Sequence, residues 1–246
     1  MLNKLILFII IITDHFHKKK IIKFFKKKKL INFNCVFDVG AHKGETIKFF
    51  LKNFKFEKIY SFEPIPETFE VLEKNINLLG DIEKKKNVLE NSALGSTERK
   101  ISIKQMVESS SSTIRDINHN SKYLIKKKKL LYSNKDDFFK KIEVNQITLN
   151  KYTTINSIEK IDFLKIDTEG YEFDVLLGLK NKIEKVKFIL FEHHYHDMIK
   201  KNYTFSDINY FLLKNNFTQI YKSKMPFRKT FEYIYVNKNY KKIDYQ

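Results

Sequence analysis

From Asn34 onward the apolar positions follow two spacings in alternation. Short unbroken runs end in turn residues, and between them lie stretches that repeat every three or four positions. The run Cys35-Val-Phe-Asp-Val-Gly40 reads as a strand entering a turn. Between Glu45 and Phe54, residues Ile47, Phe50, Leu51 and Phe54 share one helical face. Lys58 to Phe62 is a second strand. Pro66 opens a helix at a position that tolerates proline; its inner face is Phe69, Leu72, Ile76 and Leu79, and Gly80 closes it. Asn87 to Leu94 reads as a third strand ending at Gly95. Strands alternating with amphipathic helices predict a parallel sheet covered on both faces.

The regular pattern lapses between about 98 and 150. Lys100 to Met106 and Lys141 to Leu149 have strand character, but no period governs residues 107–140, which contain Ser109–Thr113 and the lysine run Lys126–Lys129. This segment reads as an irregular insertion, either a lid or a disordered stretch. The pattern then resumes. Ile161–Asp167 is a strand, Tyr171–Ile183 a helix with Val175, Leu176, Leu179 and Ile183 inward, Val186–Glu192 a strand and Phe205–Leu213 a helix. Phe217–Lys222 and Phe231–Asn237 are joined closely enough for a terminal antiparallel hairpin.

Residues 1–30 differ from the rest, so two parts are expected: a basic and apolar extension over 1–30 and a domain over 31–246. The apolar run Leu5–Ile12 is far short of the roughly 20 residues that span a bilayer. No small-residue cleavage site follows it. Basic and apolar pairs then alternate from Lys18 to Lys29. Such a helix either packs on the domain edge with a solvated lysine face or lies on an anionic membrane surface. The expected location is cytoplasmic, with peripheral membrane contact as the open alternative.

Composition changes the picture less than its extremes suggest. The chain has 246 residues and a formal net charge of +18. Nearly all the positive charge is lysine, with only Arg99, Arg115 and Arg228 as arginines. Arginine is the better residue for bidentate phosphate and base contacts, so nucleic acid is a poor fit. The abundance of Lys, Ile, Asn, Phe and Tyr, with only two alanines, is what an AT-rich coding sequence produces. One cysteine, Cys35, excludes an internal disulfide framework and agrees with a reducing compartment.

Candidate chemistry gathers where strands end. In an open α/β sheet ligands bind outside the carboxyl ends of the strands. Glycines in Val36-Phe-Asp-Val-Gly-Ala-His-Lys-Gly-Glu-Thr46 permit close ligand approach and present backbone N–H groups, with Asp38 as an added acceptor. Glu63 ends the second strand roughly 20 residues later, where an acidic side chain accepts bonds from ribose hydroxyls. A dinucleotide site needs a second glycine where His42 stands, and a phosphate loop would not place Glu45 after Gly44. The turn therefore suits an adenosine cofactor without phosphates, which S-adenosylmethionine is.

The segments VFDVGAHKGET, SFEP, NSALG, IDFLKIDTEGYEFDVLLGL and FILFEHH resemble, in order, the FkbM-type methyltransferase family over about residues 34–195. The resemblance implies a Rossmann-like α/β fold: a seven-stranded, mostly parallel sheet with a C-terminal antiparallel hairpin and helices on both faces. It implies an enzyme that uses S-adenosyl-L-methionine to methylate oxygen on saccharides or other small molecules. It also implies that Asp38, Gly40, Ala41, His42 and Gly44 border the cofactor's amino acid end. Glu63 would hold the ribose, and Ser92 and Ala93 would border the adenine.

Lys165, Asp167 and Glu169 share parity in an extended segment, and a lysine inside a buried strand needs a partner, for which Asp167 is the nearest candidate. Asp167 then holds the cofactor tail or the incoming hydroxyl, or serves only as an ion-pair partner. Glu169 caps the following helix or touches substrate. Glu192 and His194 share parity at the end of the next strand, and either suits the role of base. A divalent ion among Asp167, Glu169, Glu192 and His194 is the competing reading, although their spacing is not that of a known metal site. The rival functions are a nucleotide-sugar or NAD-using enzyme and a non-catalytic basic module that binds membrane or nucleic acid. The methyl acceptor itself has no legible motif.

Overall fold

A computed structural model describes residues 2–106, 112–131 and 139–241. In chain order the elements are α1 (Leu2–Lys27), β1 (Asn32–Val39), α2 (Glu45–Leu51), β2 (Lys55–Phe62), α3 (Pro66–Asn77), α4 (Asp81–Lys86), β3 (Asn87–Glu90), β4 (Ala93–Leu94), β5 (Arg99–Met106), β6 (Ser112–Thr113), β7 (Asp116–Ile117), α5 (Lys122–Leu131), β8 (Phe139–Ile147), α6 (Leu149–Ile155), β9 (Ile161–Ile166), α7 (Glu172–Leu177), β10 (Val186–His194), β11 (Ile199–Lys200), α8 (Phe205–Lys214), β12 (Phe217–Lys224) and β13 (Thr230–Asn237). A 3-10 turn covers Lys180–Lys185.

The main sheet has seven strands in the order β12-β13-β10-β9-β1-β2-β3. All neighbours are parallel except those of β13, which runs antiparallel to both β10 and β12. The terminal hairpin expected from the sequence is therefore present. Side chains alternate across the sheet with a period of two. On β9, Phe163 joins the core under α1, α2 and α3, while Leu164 and Ile166 join the core under α6, α7 and α8. Both faces are thus covered, which explains strands that read as continuous apolar runs.

The extension is part of the first of these cores. Ile21, Ile22, Phe25 and Leu30 are buried with Phe33, Phe163 and Phe188, and the Phe25 ring packs edge-on against Phe54, Phe163 and Phe188. Those apolar residues of α1 are spent on the sheet. Among the described residues no helix is long and apolar enough to cross a membrane.

Three expectations change. The third strand is broken after Glu90, because Asn91 donates its side-chain amide to the carbonyls of Glu63 and Pro64 and turns the chain away. Ala93–Leu94 instead pairs with Gln146–Ile147 in a second sheet of order β4-β8-β5-β6. The helix expected over Tyr171–Ile183 is shorter, since α7 closes at Gly178 and a 3-10 turn follows. Residues 112–131 are not irregular. Lys126–Lys129 belongs to α5, and β7 pairs with β11. The remainder of the expected insertion, including Ser109–Ser111, lies outside the described residues.

Candidate functional site

The turn after β1 shapes the edge of the site through its backbone. Gly40 has φ +80°, and a Cβ there would lie 1.9 Å from the Asp167 carbonyl oxygen, so the β1 and β9 termini approach as only glycine allows. Four of the N–H groups of this turn are engaged within the protein. Gly40 and Ala41 both donate to the Phe62 carbonyl at 3.0 Å, His42 donates to Glu63 Oε2 at 3.0 Å and Gly44 to the Ala41 carbonyl at 2.9 Å. The turn is thereby tied to the end of β2.

Lys165 pairs with the Asp167 that parity suggested and, more closely, with a second carboxylate. In the parallel register Asp38 of β1 lies beside Lys165 of β9. Lys165 Nζ is 2.8 Å from Asp38 Oδ1 and 3.8 Å from Asp167 Oδ2. Burial alone would lower the Lys165 pKa, but the carboxylates of Asp38 and Asp167 outweigh it and hold the ammonium charged. Asp38 sits 2% exposed beneath the turn, with Oδ2 unbonded, rather than on the wall of the cavity.

Glu172, which the sequence reading passed over, organises the next turn. Its Oε1 accepts from the N–H groups of Thr168 (3.3 Å) and Gly170 (2.9 Å), and its Oε2 accepts from the Tyr203 hydroxyl at 2.6 Å. This relieves Glu169 of capping. Glu169 adopts a left-handed backbone, φ +50°, and its carboxylate meets His194 Nε2 at 3.1 Å. Glu192 Oε1 reaches the same nitrogen at 3.1 Å. Two carboxylates therefore flank one buried imidazole. Burial opposes its charge, but Glu169 and Glu192 raise its pKa well above the usual value. Burial, reinforced by Asp167, pushes Glu192 up to about 7. The neighbouring His193 and His196 are pushed down to about 3, mainly by burial. Among the described residues no cluster has the arrangement of a metal site.

These groups line a cavity of about 1210 Å³ outside the carboxyl ends of the parallel strands. Gly40, Ala41, His42, Glu63, Ser92 and Ala93 form part of its wall, and Asp167, Glu169, Glu192 and His194 another part; Gly44, like Asp38, does not reach it. Gly44 instead has φ +84° as the N-cap of α2 and faces Leu72. Glu63 is 6% exposed, accepts from His42 and from Ile65 (3.0 Å), and has its pKa raised by burial. The wall also includes residues no motif announced. These are Asp14, His17 and Lys18 from α1, Tyr123 and Lys127 from α5, and Arg228, Thr230 and Glu232 from the hairpin. Only the tertiary fold brings those segments here.

The strand order and the position of the cavity are those of a Rossmann-like α/β fold with its ligand site outside the carboxyl ends of the strands. The signature of the methyltransferase FkbM domain matches residues 38–218. The chain belongs to that family, and its cofactor is S-adenosylmethionine. The FkbM methyltransferase of Methylobacillus flagellatus KT shares the fold at a TM-score of 0.53 and 14% identity, over 82% of this chain and 43% of that one. This chain thus spans less than half of that protein. TrmK of M. capricolum, solved with S-adenosylhomocysteine, has a TM-score of 0.49 at 15% identity over 86% of this chain and 66% of its own. Magnesium protoporphyrin IX methyltransferase of Synechocystis PCC 6803, solved with bound SAM, has a TM-score of 0.49 at 8% identity over 92% and 80%. No curated protein matches the sequence.

The lining fits that cofactor. It includes Ser92, whose buried hydroxyl has no partner, and the carboxylate of Glu63. The carboxylates of Glu63, Asp167, Glu169 and Glu192 in the lining suit a ligand carrying a sulfonium and an ammonium. The volume exceeds the roughly 300–1,000 Å³ of a single small-molecule site, leaving room for a second reactant.

Proposed function

We propose that this methyltransferase transfers its methyl group to a hydroxyl of a saccharide or other small metabolite. The observation that carries the reading is the Glu169–His194–Glu192 cluster, two carboxylates each 3.1 Å from one imidazole nitrogen, on the wall of the cavity. A hydroxyl must lose its proton as it attacks, and a carboxylate of this cluster, held beside the charged imidazole, is suited to accept it. Bound S-adenosylmethionine supplies a methyl group already activated on sulfur. The chain's remaining work is to hold, align and deprotonate. Glu63 would accept from the ribose hydroxyls, Ser92 and Ala93 would border the adenine, and Gly40, Ala41 and His42 would lie against the amino acid end. Asp167, braced by Lys165, would face the ammonium or the incoming hydroxyl. Alignment of this kind lowers a barrier by about 7–11 kcal/mol at best.

The test incubates the full chain with S-adenosylmethionine and a panel of saccharides, and follows S-adenosylhomocysteine release and the product's NMR spectrum. A new O-methyl signal is expected. Glu192→Gln should lower turnover by roughly 10²–10⁴-fold while cofactor affinity persists. Methyl appearing on nitrogen or carbon would overturn the assignment to oxygen. Salt-dependent binding to DNA or anionic vesicles, with no binding of S-adenosylhomocysteine, would instead favour a non-catalytic basic module.

A further inference from the structure

The turn that carries Glu169, between β9 and α7, is held from two sides. Glu169 has φ +50° and Gly170 φ +97°. A non-glycine residue keeps such a left-handed conformation only where its surroundings impose it. Glu172 holds the N–H groups of Thr168 and Gly170. The carbonyl side is held by residues 113–115. The Thr113 hydroxyl donates to the Glu169 carbonyl at 2.8 Å and accepts from the Arg115 N–H at 3.1 Å. Arg115 Nε donates to the Gly170 carbonyl at 3.2 Å. Its guanidinium also pairs with Asp174 and lies 4.9 Å from the centre of the Tyr171 ring.

Residues 112–117 are themselves fixed at both ends. Thr113 of β6 pairs with Lys104 of β5, Lys104 forms an ion pair with Asp116, and β7 pairs with β11. β11 in turn packs on the Glu169 turn, since a Cβ at Gly170 would lie 2.7 Å from Ile199 Cγ2. Thr113 is 5% exposed and is not on the cavity wall, whereas its neighbours Ser112 and Ile114 are. Its hydroxyl therefore serves the turn and not a ligand. Without it the Glu169 carbonyl would lose that donor. The Glu169–Gly170 peptide could then rotate, because glycine accepts either sign of φ. The Glu169 carboxylate, 3.1 Å from His194 Nε2, would swing with it.

We propose that Thr113 is a positioning residue of the active site. Its hydroxyl fixes the Glu169 turn so that the Glu169 carboxylate stays against His194, and Arg115 locks Gly170 behind it. A segment that carries no motif thereby sets the geometry of the cluster. That the cluster handles the acceptor's proton rests on the methyltransferase reading above; the brace does not. An imidazole beside two carboxylates holds its proton more tightly than one beside a single carboxylate. The placement of Glu169 can therefore be read at His194 itself.

The experiment follows the ring nitrogens of His194 by NMR in the full chain, from about pH 5 to pH 10. Thr113→Val removes the donor and should lower the proton affinity of His194 roughly tenfold, toward its value in Glu169→Gln. Thr113→Ser keeps the hydroxyl and should stay within about twofold of the parent. Because Thr113 acts through Glu169, adding Thr113→Val to Glu169→Gln should change His194 no further. The other charged groups around the cluster are Glu192 and His196, Asp167, Lys201, Lys127 of α5, and Arg228 and Glu232 of the hairpin, and all remain in every variant. A His194 affinity in Thr113→Val equal to the parent's, even with a lowered Tm, would make Thr113 merely structural and overturn the proposal. So would an equal fall in Thr113→Ser, or a further fall in the double variant. Arg115→Lys loosens Gly170 but keeps Thr113, and should move His194 in the same direction by a smaller factor. No movement there would count against the brace even if Thr113→Val did not fold. S-Adenosylhomocysteine, titrated calorimetrically into the same samples, tests the methyltransferase reading by itself. Its failure to bind the parent would remove that reading and leave the His194 result standing.

Discussion

Replacing Lys165 by methionine tests the electrostatic account of the sheet. Lys165 and Asp38 are 7% and 2% exposed, and they pair at 2.8 Å between adjacent parallel strands. Methionine has the length to fill the space but leaves Asp38 with neither oxygen bonded, since Oδ2 already has no partner. Removing one member of a buried pair costs about 3–5 kcal/mol. For a chain of this length that corresponds to a fall in Tm on the order of 10 °C. Asp38→Asn should cost less, about 1–3 kcal/mol, because Lys165 keeps Asp167 at 3.8 Å and the Gly40 carbonyl at 3.5 Å. Urea unfolding followed by circular dichroism at pH 5 and pH 8 would measure both. In Lys165→Met the Asp38 carboxyl, already raised by burial, loses the cation that pulled it back. A carboxyl with a raised folded pKa contributes stability at low pH that is lost as pH rises through that pKa. The Lys165→Met deficit should therefore be smaller at pH 5 than at pH 8. Equal costs for the two variants, or a deficit below about 1 kcal/mol, would refute a buried charge pair of this importance.

Three further outcomes are expected. Glu192 is raised from an ordinary value near 4.5 to about 7, so its contribution to stability is present below about 4.5 and lost as pH rises past 7. Glu192→Gln should accordingly gain stability over the parent between pH 5 and pH 8 in the same unfolding assay, while turnover in the parent rises through neutral pH as the carboxylate ionises. Glu63→Ala should weaken S-adenosylhomocysteine binding by about 10- to 100-fold in calorimetry, the loss expected for charge-assisted hydrogen bonds. Gly40→Ala must adopt φ near +80° against the Asp167 carbonyl. The backbone strain alone is about 1–3 kcal/mol, and thermal unfolding should show at least that loss together with loss of cofactor binding.

Local physics made much of this protein legible in its sequence. The spacing of Ile47, Phe50 and Phe54, and of Leu72 and Ile76, marked buried helix faces because each side chain's direction follows from its position in a 3.6-residue turn. Strand ends carrying Gly40, Glu63, Asp167 and Glu192 could be lined up along one edge because parallel strands place equivalent ends together. Partner choice lay beyond that reach. Parity along one strand offered Asp167 to Lys165, but the register with β1 put Asp38 closer, and register is a property of two strands. Asn91 broke an apparently continuous strand through carbonyls of a neighbouring turn. His17, Arg228 and Glu232 carried no motif, because their role depends on α1 crossing the sheet beside the terminal hairpin. Sequence alone determined most strands and helices of the main sheet, their order and the edge where the cavity lies. The tertiary structure decided which charges pair and what closes the far end of the cavity, since those are contacts between residues more than a hundred positions apart.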